Sequence, residues 1–273
     1  MTRATVTLVP QNGWHWKEWL AECAGTAILL FVVVTAKDLA VRSGPPLDSL
    51  PWRTIVTALA AGLAVSVVAV SAIGHRSGAH LNPALTFGLW LQRTVSSADL
   101  AGYCTAQLAG ALLGVTVARI WGPTVSRAPV HWATVGPAPS VPQPAAAGLE
   151  CAATLVQLGV VFLLLTSRRH HQWAPAVAGA VLAVAVITLA PFSGGGINPA
   201  RVLATDDLAG AYPAVWVYLT APLLGAALAA AALTASHRRP VTGKLHHDPS
   251  VRCHMRCSLP GPPGHGEDQS DGG

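Results

Sequence analysis

Six long apolar stretches of 17 to 24 residues alternate with polar or Gly/Pro-rich connections along this chain of 273 residues. About 20 apolar residues is the length that an α-helix needs to cross the hydrocarbon core of a bilayer. The pattern therefore predicts an all-α membrane protein with six transmembrane helices. The predicted spans are residues 20–36, 54–73, 100–120, 147–167, 174–191 and 212–235.

A motif that occurs twice separates these spans. Residues 77–84 read SGAHLNPA and residues 193–201 read SGGGINPAR. Each copy places Asn, a preferred N-cap, before Pro, which suits the first position of a helix because its missing N–H is not needed there. Both copies therefore predict the start of a helix. The residues of these two predicted starts are Asn82, Pro83, Ala84, Asn198, Pro199 and Ala200.

The apolar segments after the two motifs, 84–91 and 200–204, are too short to cross about 30 Å of hydrocarbon. Short helices at matching places in two halves of a membrane chain indicate re-entrant half-helices that meet at a central site. The halves match elsewhere, because Glu22 and Glu150 are each followed by Thr four residues later. Three spans per half is an odd number, so we expect an inverted repeat.

Composition and charge agree with a membrane location. The chain is 52% hydrophobic and 11% charged, against about 25% charged in soluble domains. The net charge of +5 needs no nucleic-acid partner, since most of the 17 Lys and Arg residues fall on one side when both termini are cytoplasmic. The expected organisation is a cytoplasmic segment (1–18), a first half (19–120), a Pro-rich connecting loop (121–146), a second half (147–236) and a disordered cytoplasmic tail (237–273).

The two repeated loops carry the candidate chemistry. Irregular backbone at membrane depth is tolerated only where protein buries it or water bathes it, so these loops should line a cavity with carbonyl oxygens. Asn82 and Asn198 would add amide donors at its centre, and the half-helix N-termini would repel cations. This row of carbonyl acceptors with amide donors at its centre, here called the lane, suits a small neutral solute. The loop residues expected to line it are Gly78, His80, Gly194, Gly195 and Gly196.

Arg201, Glu22 and Glu150 are ionisable residues inside the predicted membrane region, and each needs an explanation. Arg201 lies three residues into the second half-helix and is interpreted as a fixed cation at the pore mouth, with snorkelling as the alternative. Glu22 and Glu150 are expected to accept hydrogen bonds from the backbone of the two loops, with a proton relay as the alternative.

The paired Asn-Pro-Ala motifs and the repeated Glu-x-x-x-Thr resemble those of the aquaporins, the major intrinsic protein family. The resemblance spans about residues 17–236. It implies six spans with two half-helices, homotetramers in the cell membrane with one pore per subunit, and passive flow of water or small neutral solutes. It also implies that Asn82 and Asn198 are the motif asparagines and that Arg201 is the filter arginine.

The selectivity filter departs from the water-selective pattern of that family. The position twenty residues before the first motif Asn is Gly62, in the run Ala61-Gly62-Leu63, where an aromatic residue is usual. The span-five position is Val186 instead of His, and Gly195 takes the loop position. These residues predict a wide, apolar filter that passes an uncharged solute larger than water, such as glycerol, urea or a metalloid hydroxide.

Two further hypotheses remain open from the sequence. A coupled secondary transporter also uses inverted repeats and half-helices, whereas an enzyme is not expected, because the spans hold no catalytic or metal-binding constellation. No cofactor and no resident metal are predicted. The tail does carry Cys253 and Cys257 among several histidines, a tract that can bind zinc or soft metalloids but is also typical of a disordered polar tail.

Overall fold

The computed structural model describes residues 13–261. Nine α-helices form most of this part of the chain, and six of them are long and apolar enough to cross a membrane. Those six are α1, α2, α5, α6, α7 and α9, so the predicted all-α architecture is confirmed. The nine helices are α1 (Trp16–Arg42), α2 (Leu50–Val70), α3 (Ala72–Ser77), α4 (Pro83–Leu91), α5 (Ser97–Val117), α6 (Gln143–Leu165), α7 (Ala174–Leu189), α8 (Pro199–Ala209) and α9 (Val215–Ala235).

The short helices α4 and α8 start where the repeated motif predicts. They have 9 and 11 residues, so they are about 14 and 17 Å long and cannot cross the hydrocarbon core. Pro83 and Pro199 are their first residues. The preceding Asn82 and Asn198 are extended N-caps whose side-chain oxygens accept from the amides of Ala84 and Ala200 at 2.9 and 3.0 Å.

The two halves of the bundle, α1–α5 and α6–α9, pack in the same way. Helix α1 lies against α5 as α6 lies against α9, and α2 lies against α7 between the halves. Each half-helix packs on the opposite half, because α4 contacts α9 and α8 contacts α5. Each half-helix also contacts the last long helix of its own half, α5 for α4 and α9 for α8, so it lies between the two halves.

Glycines allow the closest of these helix crossings. A Cβ on Gly110 of α5 would collide with the carbonyl oxygen of Cys23 on α1, and a Cβ on Gly225 of α9 would collide with that of Cys151 on α6. Each cysteine directly follows the matched glutamate of its half. Small residues at such positions let helix backbones approach closely inside a membrane. The internal repeat thus extends to the backbone contacts between helices.

The outward faces of the long helices are apolar. A bilayer solvates such faces, whereas water would not. The large apolar side chains exposed on these helices include Leu59, Leu63, Val67, Leu113, Val156, Leu163, Val184, Leu224 and Leu228.

Helix α2 ends earlier than the hydrophobic pattern predicts. The expected span continues to residue 73, but Ser71 is extended (φ −83°, ψ 172°) and its side chain caps the next helix by accepting from the amide of Ile73. The apolar residues after Ser71 belong to α3 rather than α2. Positions counted across Ser71 therefore do not keep the helical register.

The Pro-rich connection between the halves folds over one end of the bundle, here called the loop-side mouth. Trp132 and Ala133 in this connection are buried, and the amide of Ala138 donates to the carbonyl of Phe192 at 2.8 Å. The connection consequently forms a wall of that mouth.

The tail segment, defined as residues 237–261, packs over the opposite end, the tail-side mouth. This differs from the disorder that its polar composition predicts. Lys244 and Leu245 are buried, and the amide of Val241 donates to the carbonyl of Leu165 at 2.8 Å. A few separated apolar residues hold the segment in place, although they form no periodic pattern. Residues 262–273 of the predicted tail and residues 1–12 of the predicted N-terminal segment lie outside the described residues.

Candidate pore

The two repeated loops share one unusual backbone conformation. Gly78, Ala79 and Leu81 of the first loop have φ values of 93°, 51° and 53°. The matching residues of the second loop, Gly194, Gly195 and Ile197, have φ values of 87°, 65° and 54°. Positive φ is rare for residues other than glycine and persists only where the surroundings enforce it. Leu81 and Ile197 therefore need strong local partners.

The two membrane glutamates are those partners. Glu22 accepts from the amides of His80 and Leu81 at 2.9 and 2.8 Å. Glu150 accepts from the amides of Gly196 and Ile197 at 3.0 and 2.7 Å. Both carboxylates are buried. The prediction that each glutamate accepts hydrogen bonds from its neighbouring loop is confirmed.

Side chains complete the two carboxylate sites. Gln107 donates to Glu22 at 2.7 Å, and the hydroxyl of Ser193 donates to Glu150 at 2.6 Å. A buried charge is stable only when its lone pairs are satisfied in this way. The two glutamates thus act as anchors for backbone rather than as exposed carboxylates.

The two asparagines meet at the centre of the bundle. The amide nitrogen of Asn82 donates to the carbonyl of Ile197 at 3.1 Å, and that of Asn198 donates to the carbonyl of Leu81 at 2.8 Å. Each amide has two N–H groups, so each retains a second donor. Both asparagines line a cavity that runs between the halves.

This cavity contains seven of the ten residues nominated from sequence for the pore or filter. Gly78 and Gly62 are not among its lining residues, and Gly194 lines a second cavity at the loop-side mouth. Thr57, Ala61, Leu182 and Leu245 line it in addition. The nominated residues that do line it are His80, Asn82, Val186, Gly195, Gly196, Asn198 and Arg201.

Gly62, nominated from sequence for the filter, is not among the residues that line the cavity. A Cβ on Gly62 would collide with the carbonyl oxygen of Gly179 on α7, so this glycine lies at the α2–α7 crossing. Ala61, one residue earlier, lines the cavity together with Val186 and Arg201. A count of twenty residues back from Asn82 does not determine which face of α2 lies toward the cavity, because the close crossing of α2 and α7 at Gly62 and Gly179 sets that face.

Arg201 is held by the backbone of the second loop. One terminal nitrogen of its guanidinium donates to the carbonyl of Gly195 at 3.0 Å. Arg201 borders both cavities, and the second cavity also exposes Lys37 and Arg53. Among the described residues that line this second cavity, none is acidic. The loop-side mouth therefore carries a concentration of positive charge.

The tail segment borders the other end of the same cavity. Leu245 lines it next to His80, and the amide of Leu245 donates to the carbonyl of Gly78 at 3.2 Å. The His80 ring bonds through Nε2 to the carbonyl of Gly243 at 2.8 Å. Lys244 donates from Nζ to the carbonyl of His75 at 3.0 Å. Sequence reasoning missed these contacts, because nothing local to residues 243–245 indicates a partner.

A further tail contact reaches α5. The hydroxyl of Tyr103 donates to the carbonyl of Ser77 at 2.7 Å and lies 3.0 Å from Nε2 of His254. Burial lowers the pKa of His254 to about 2, so its ring is neutral. The Tyr103 hydrogen is used by Ser77, so His254 donates to the tyrosine oxygen.

Comparison with known proteins agrees with this arrangement. A family model described as "Major intrinsic protein" matches residues 11–233. The chain is 32% identical to aquaporin NIP3-1 of Oryza sativa subsp. japonica, over 82% of this chain and 69% of that protein. It is 33% identical to glycerol uptake facilitator protein-like 6 of Lactiplantibacillus plantarum, over 78% of this chain and 95% of that protein.

One solved structure has the same fold. The X-ray structure of the aquaglyceroporin from Plasmodium falciparum superposes with a TM-score of 0.69 and 24% identity, covering 81% of this chain and 96% of that one.

Proposed function

Because this chain belongs to the major intrinsic protein family, whose members are channels, we propose that uncharged solutes cross through the cavity that holds Asn82, Asn198 and Arg201. The protein is a passive channel for water and small solutes, and it is not an enzyme. The alternative of a coupled secondary transporter is not supported. The two glutamates that the sequence offers as coupling groups, Glu22 and Glu150, are both engaged by loop amides.

The proposed lane combines acceptors with a few fixed donors. Loop carbonyls accept from the solute, and the second N–H of each motif asparagine donates to it at the centre. The half-helix N-termini at Pro83 and Pro199 contribute positive partial charge there. Together with Arg201 this charge disfavours cations and an excess proton, while neutral hydrogen-bonding solutes still pass.

The filter is proposed to be Ala61, Val186, Gly195 and Arg201. The observation that carries the substrate proposal is that Arg201 shares its cavity with the small side chains of Ala61 and Val186, and that no Phe, Tyr or Trp is among the described residues lining it. A narrow water filter needs such bulk. We therefore assign the channel a solute larger than water, such as glycerol, urea or a neutral metalloid hydroxide. One relative of this chain is a glycerol uptake facilitator-like protein, which supports the same class.

Assembly and orientation complete the proposal. The exposed apolar faces of the long helices suit lipid and neighbouring subunits, and we propose a homotetramer in the cell membrane. Both termini are proposed to be cytoplasmic, because this orientation leaves most Lys and Arg residues inside. The tail-side mouth is then cytoplasmic and the mouth bearing Lys37 and Arg53 is external.

Stopped-flow light scattering on proteoliposomes tests the substrate assignment. Shrinkage in an impermeant osmolyte measures water flux, and reswelling in glycerol, urea or boric acid measures solute flux. We expect at least one of the three solutes to enter faster than into protein-free vesicles, without dependence on Na⁺ or a proton gradient. Water flux with none of these solutes would overturn the filter assignment.

A further inference from the structure

The tail segment brings together three side chains that could hold a metal ion. The ligand atoms of His247, Cys253 and Cys257 all lie within 4.8 Å of one another. Sγ of Cys257 is 3.4 Å from Nδ1 of His247. In a tetrahedral zinc site, with Zn–S of about 2.3 Å and Zn–N of about 2.0 Å, a sulfur and a nitrogen ligand are separated by about 3.5 Å. The cysteine–histidine pair already has that spacing.

The second nitrogen of the histidine has the partner that a metal ligand needs. Nε2 of His247 lies 3.0 Å from the carbonyl oxygen of Pro260. A carbonyl only accepts, so Nε2 carries the hydrogen and Nδ1 presents its lone pair toward Cys257. Metal-binding histidines are usually oriented by such a hydrogen bond from the other ring nitrogen. The bond to Pro260 is an observation independent of the clustering.

The types of these three side chains determine which ions they can bind. Two thiolates and an imidazole bind borderline-soft divalent cations such as Zn²⁺, whereas Mg²⁺ and Ca²⁺ require oxygen ligands. All three side chains are partly exposed, so an ion and a water molecule as fourth ligand can reach them. Binding would release the thiol protons to solvent.

We propose that Cys253, Cys257 and His247 bind a thiophilic divalent cation of the Zn²⁺ class, and that the bound ion holds the tail segment over the tail-side mouth. The residues between the two cysteines make the connection. His254 contacts Tyr103, and the amide of Arg256 donates to the carbonyl of Thr94 at 3.2 Å. An ion that fixes both ends of this five-residue loop stabilises the conformation that fits the channel body.

The same loop is joined to the residues at the pore. Thr242 and Cys257 form an antiparallel bridge, and the amide of Ser258 donates to the carbonyl of Val241 at 2.7 Å. Gly243 and Leu245 follow Thr242 closely in the chain. Gly243 contacts His80, and Leu245 lines the cavity. A ligand that binds only the seated tail shifts the equilibrium toward it. Binding of the ion should therefore lower flux. This effect rests on the proposed pore, whereas ion binding itself does not.

Cobalt binding by the purified, reduced full-length protein tests the site directly. We expect one Co²⁺ per chain, with thiolate-to-cobalt charge-transfer absorption that Zn²⁺ abolishes by displacement. The Cys253→Ser/Cys257→Ser variant should lose this absorption, and His247→Ala should weaken it. The matched control is Cys23→Ser/Cys151→Ser, two partly exposed cysteines in the spans, which should bind as the unmodified protein does. Absence of thiolate absorption, or its persistence in the tail variant, would overturn the site.

Solute flux into proteoliposomes tests the effect on the pore. At a free Zn²⁺ concentration about ten times its Kd for the seated tail, binding to that form alone raises the ratio of seated to open channels about tenfold, and flux should fall accordingly. Chelation should restore flux, and Cys253→Ser/Cys257→Ser should not respond to Zn²⁺. Cobalt binding without any change in flux would contradict the coupling. A protein that binds cobalt yet conducts nothing, even without its tail, would refute the pore assignment while leaving the metal site supported.

Discussion

Asn82 and Asn198 each support the loop of the other. The amide of Asn82 bonds to the carbonyl just before Asn198, and the amide of Asn198 bonds to the carbonyl just before Asn82. Their side-chain oxygens are used at the same time as caps of α4 and α8. Each asparagine therefore has three tasks: capping its helix, holding the opposite loop and offering one free N–H to the cavity.

Replacing either asparagine should lower flux without preventing folding. Asn82→Ala or Asn198→Ala removes the free donor and one bond between the halves, while the loop carbonyls remain. Loss of the N-cap should cost about 1 kcal/mol of stability. Water and glycerol flux per folded protein, with yield from size-exclusion chromatography as the control, measures the effect. Wild-type flux in both single variants and in the double variant would show that the asparagines are not at the pore centre.

Glu150 should tolerate an amide but not an apolar side chain. Glu150→Leu leaves the donors of Ser193, Gly196 and Ile197 without an acceptor, at about 1–3 kcal/mol each. We expect little folded protein from this variant. Glu150→Gln keeps one acceptor oxygen and should retain part of the transport. Thermal unfolding in detergent compares the two. A pH-dependent flux that disappears in the Gln variant would instead favour a proton-coupled transporter.

Ala61 and Gly62 should respond in opposite ways to enlargement. Ala61→Phe places a ring in the cavity and should reduce glycerol flux much more than water flux, and adding Val186→His should strengthen the effect. Gly62→Ala forces α2 away from α7, so we expect a loss of about 1–3 kcal/mol in stability. Solute and water flux, together with thermal unfolding, separate the two results. If Gly62→Ala has normal thermal stability but reduced glycerol flux, Gly62 would be part of the filter.

Removing the charge of Arg201 should admit cations. Arg201→Val leaves the carbonyl of Gly195 facing the lane without a fixed cation beside it, in a low-dielectric constriction where one charge has a large effect. Ion conductance and dissipation of a pH gradient in proteoliposomes measure the leak. Lys37→Gln, at the wider mouth, is the control and should leak much less. If the Arg201→Val channel conducts no ions, cation exclusion must depend on the asparagine pair instead of on Arg201.

The tail segment should restrict the pore that it covers. Leu245→Ala removes bulk from the cavity yet keeps the backbone bond to Gly78, so glycerol flux should rise. Deletion of residues 237–273 should raise it further. Reswelling rates normalised to protein content test both variants. Equal rates in the unmodified protein, the point variant and the deletion would mean that the tail leaves the lane open.

The repeat itself accounts for what could be predicted from sequence. Asn82 and Asn198 are recognisable because a helix cap, a proline and a Gly-rich loop occur together twice. Glu22 and Glu150 are recognisable because a charged residue in a membrane span needs hydrogen-bond partners. Sequence counting could not show that Ala61 rather than Gly62 lines the cavity, since this depends on how α2 packs against α7. The tail contacts were missed because Leu245 and its neighbours pack through single residues on distant helices.

The exchange of half-helices between the two halves has a consequence for how the chain is made. The amide of Asn82 finds its acceptor 115 residues later, at Ile197, and α4 rests on α9, the last helix. When only the first half has been synthesised, Glu22 and α5 are present, but the surface of α9 and the acceptor of that amide are missing. The half-helix is then only partly covered at membrane depth, a state that lipid does not tolerate. We therefore expect the first half-helix to remain in water, or under the protection of the insertion machinery, until the final span has emerged. Neither half should mature alone.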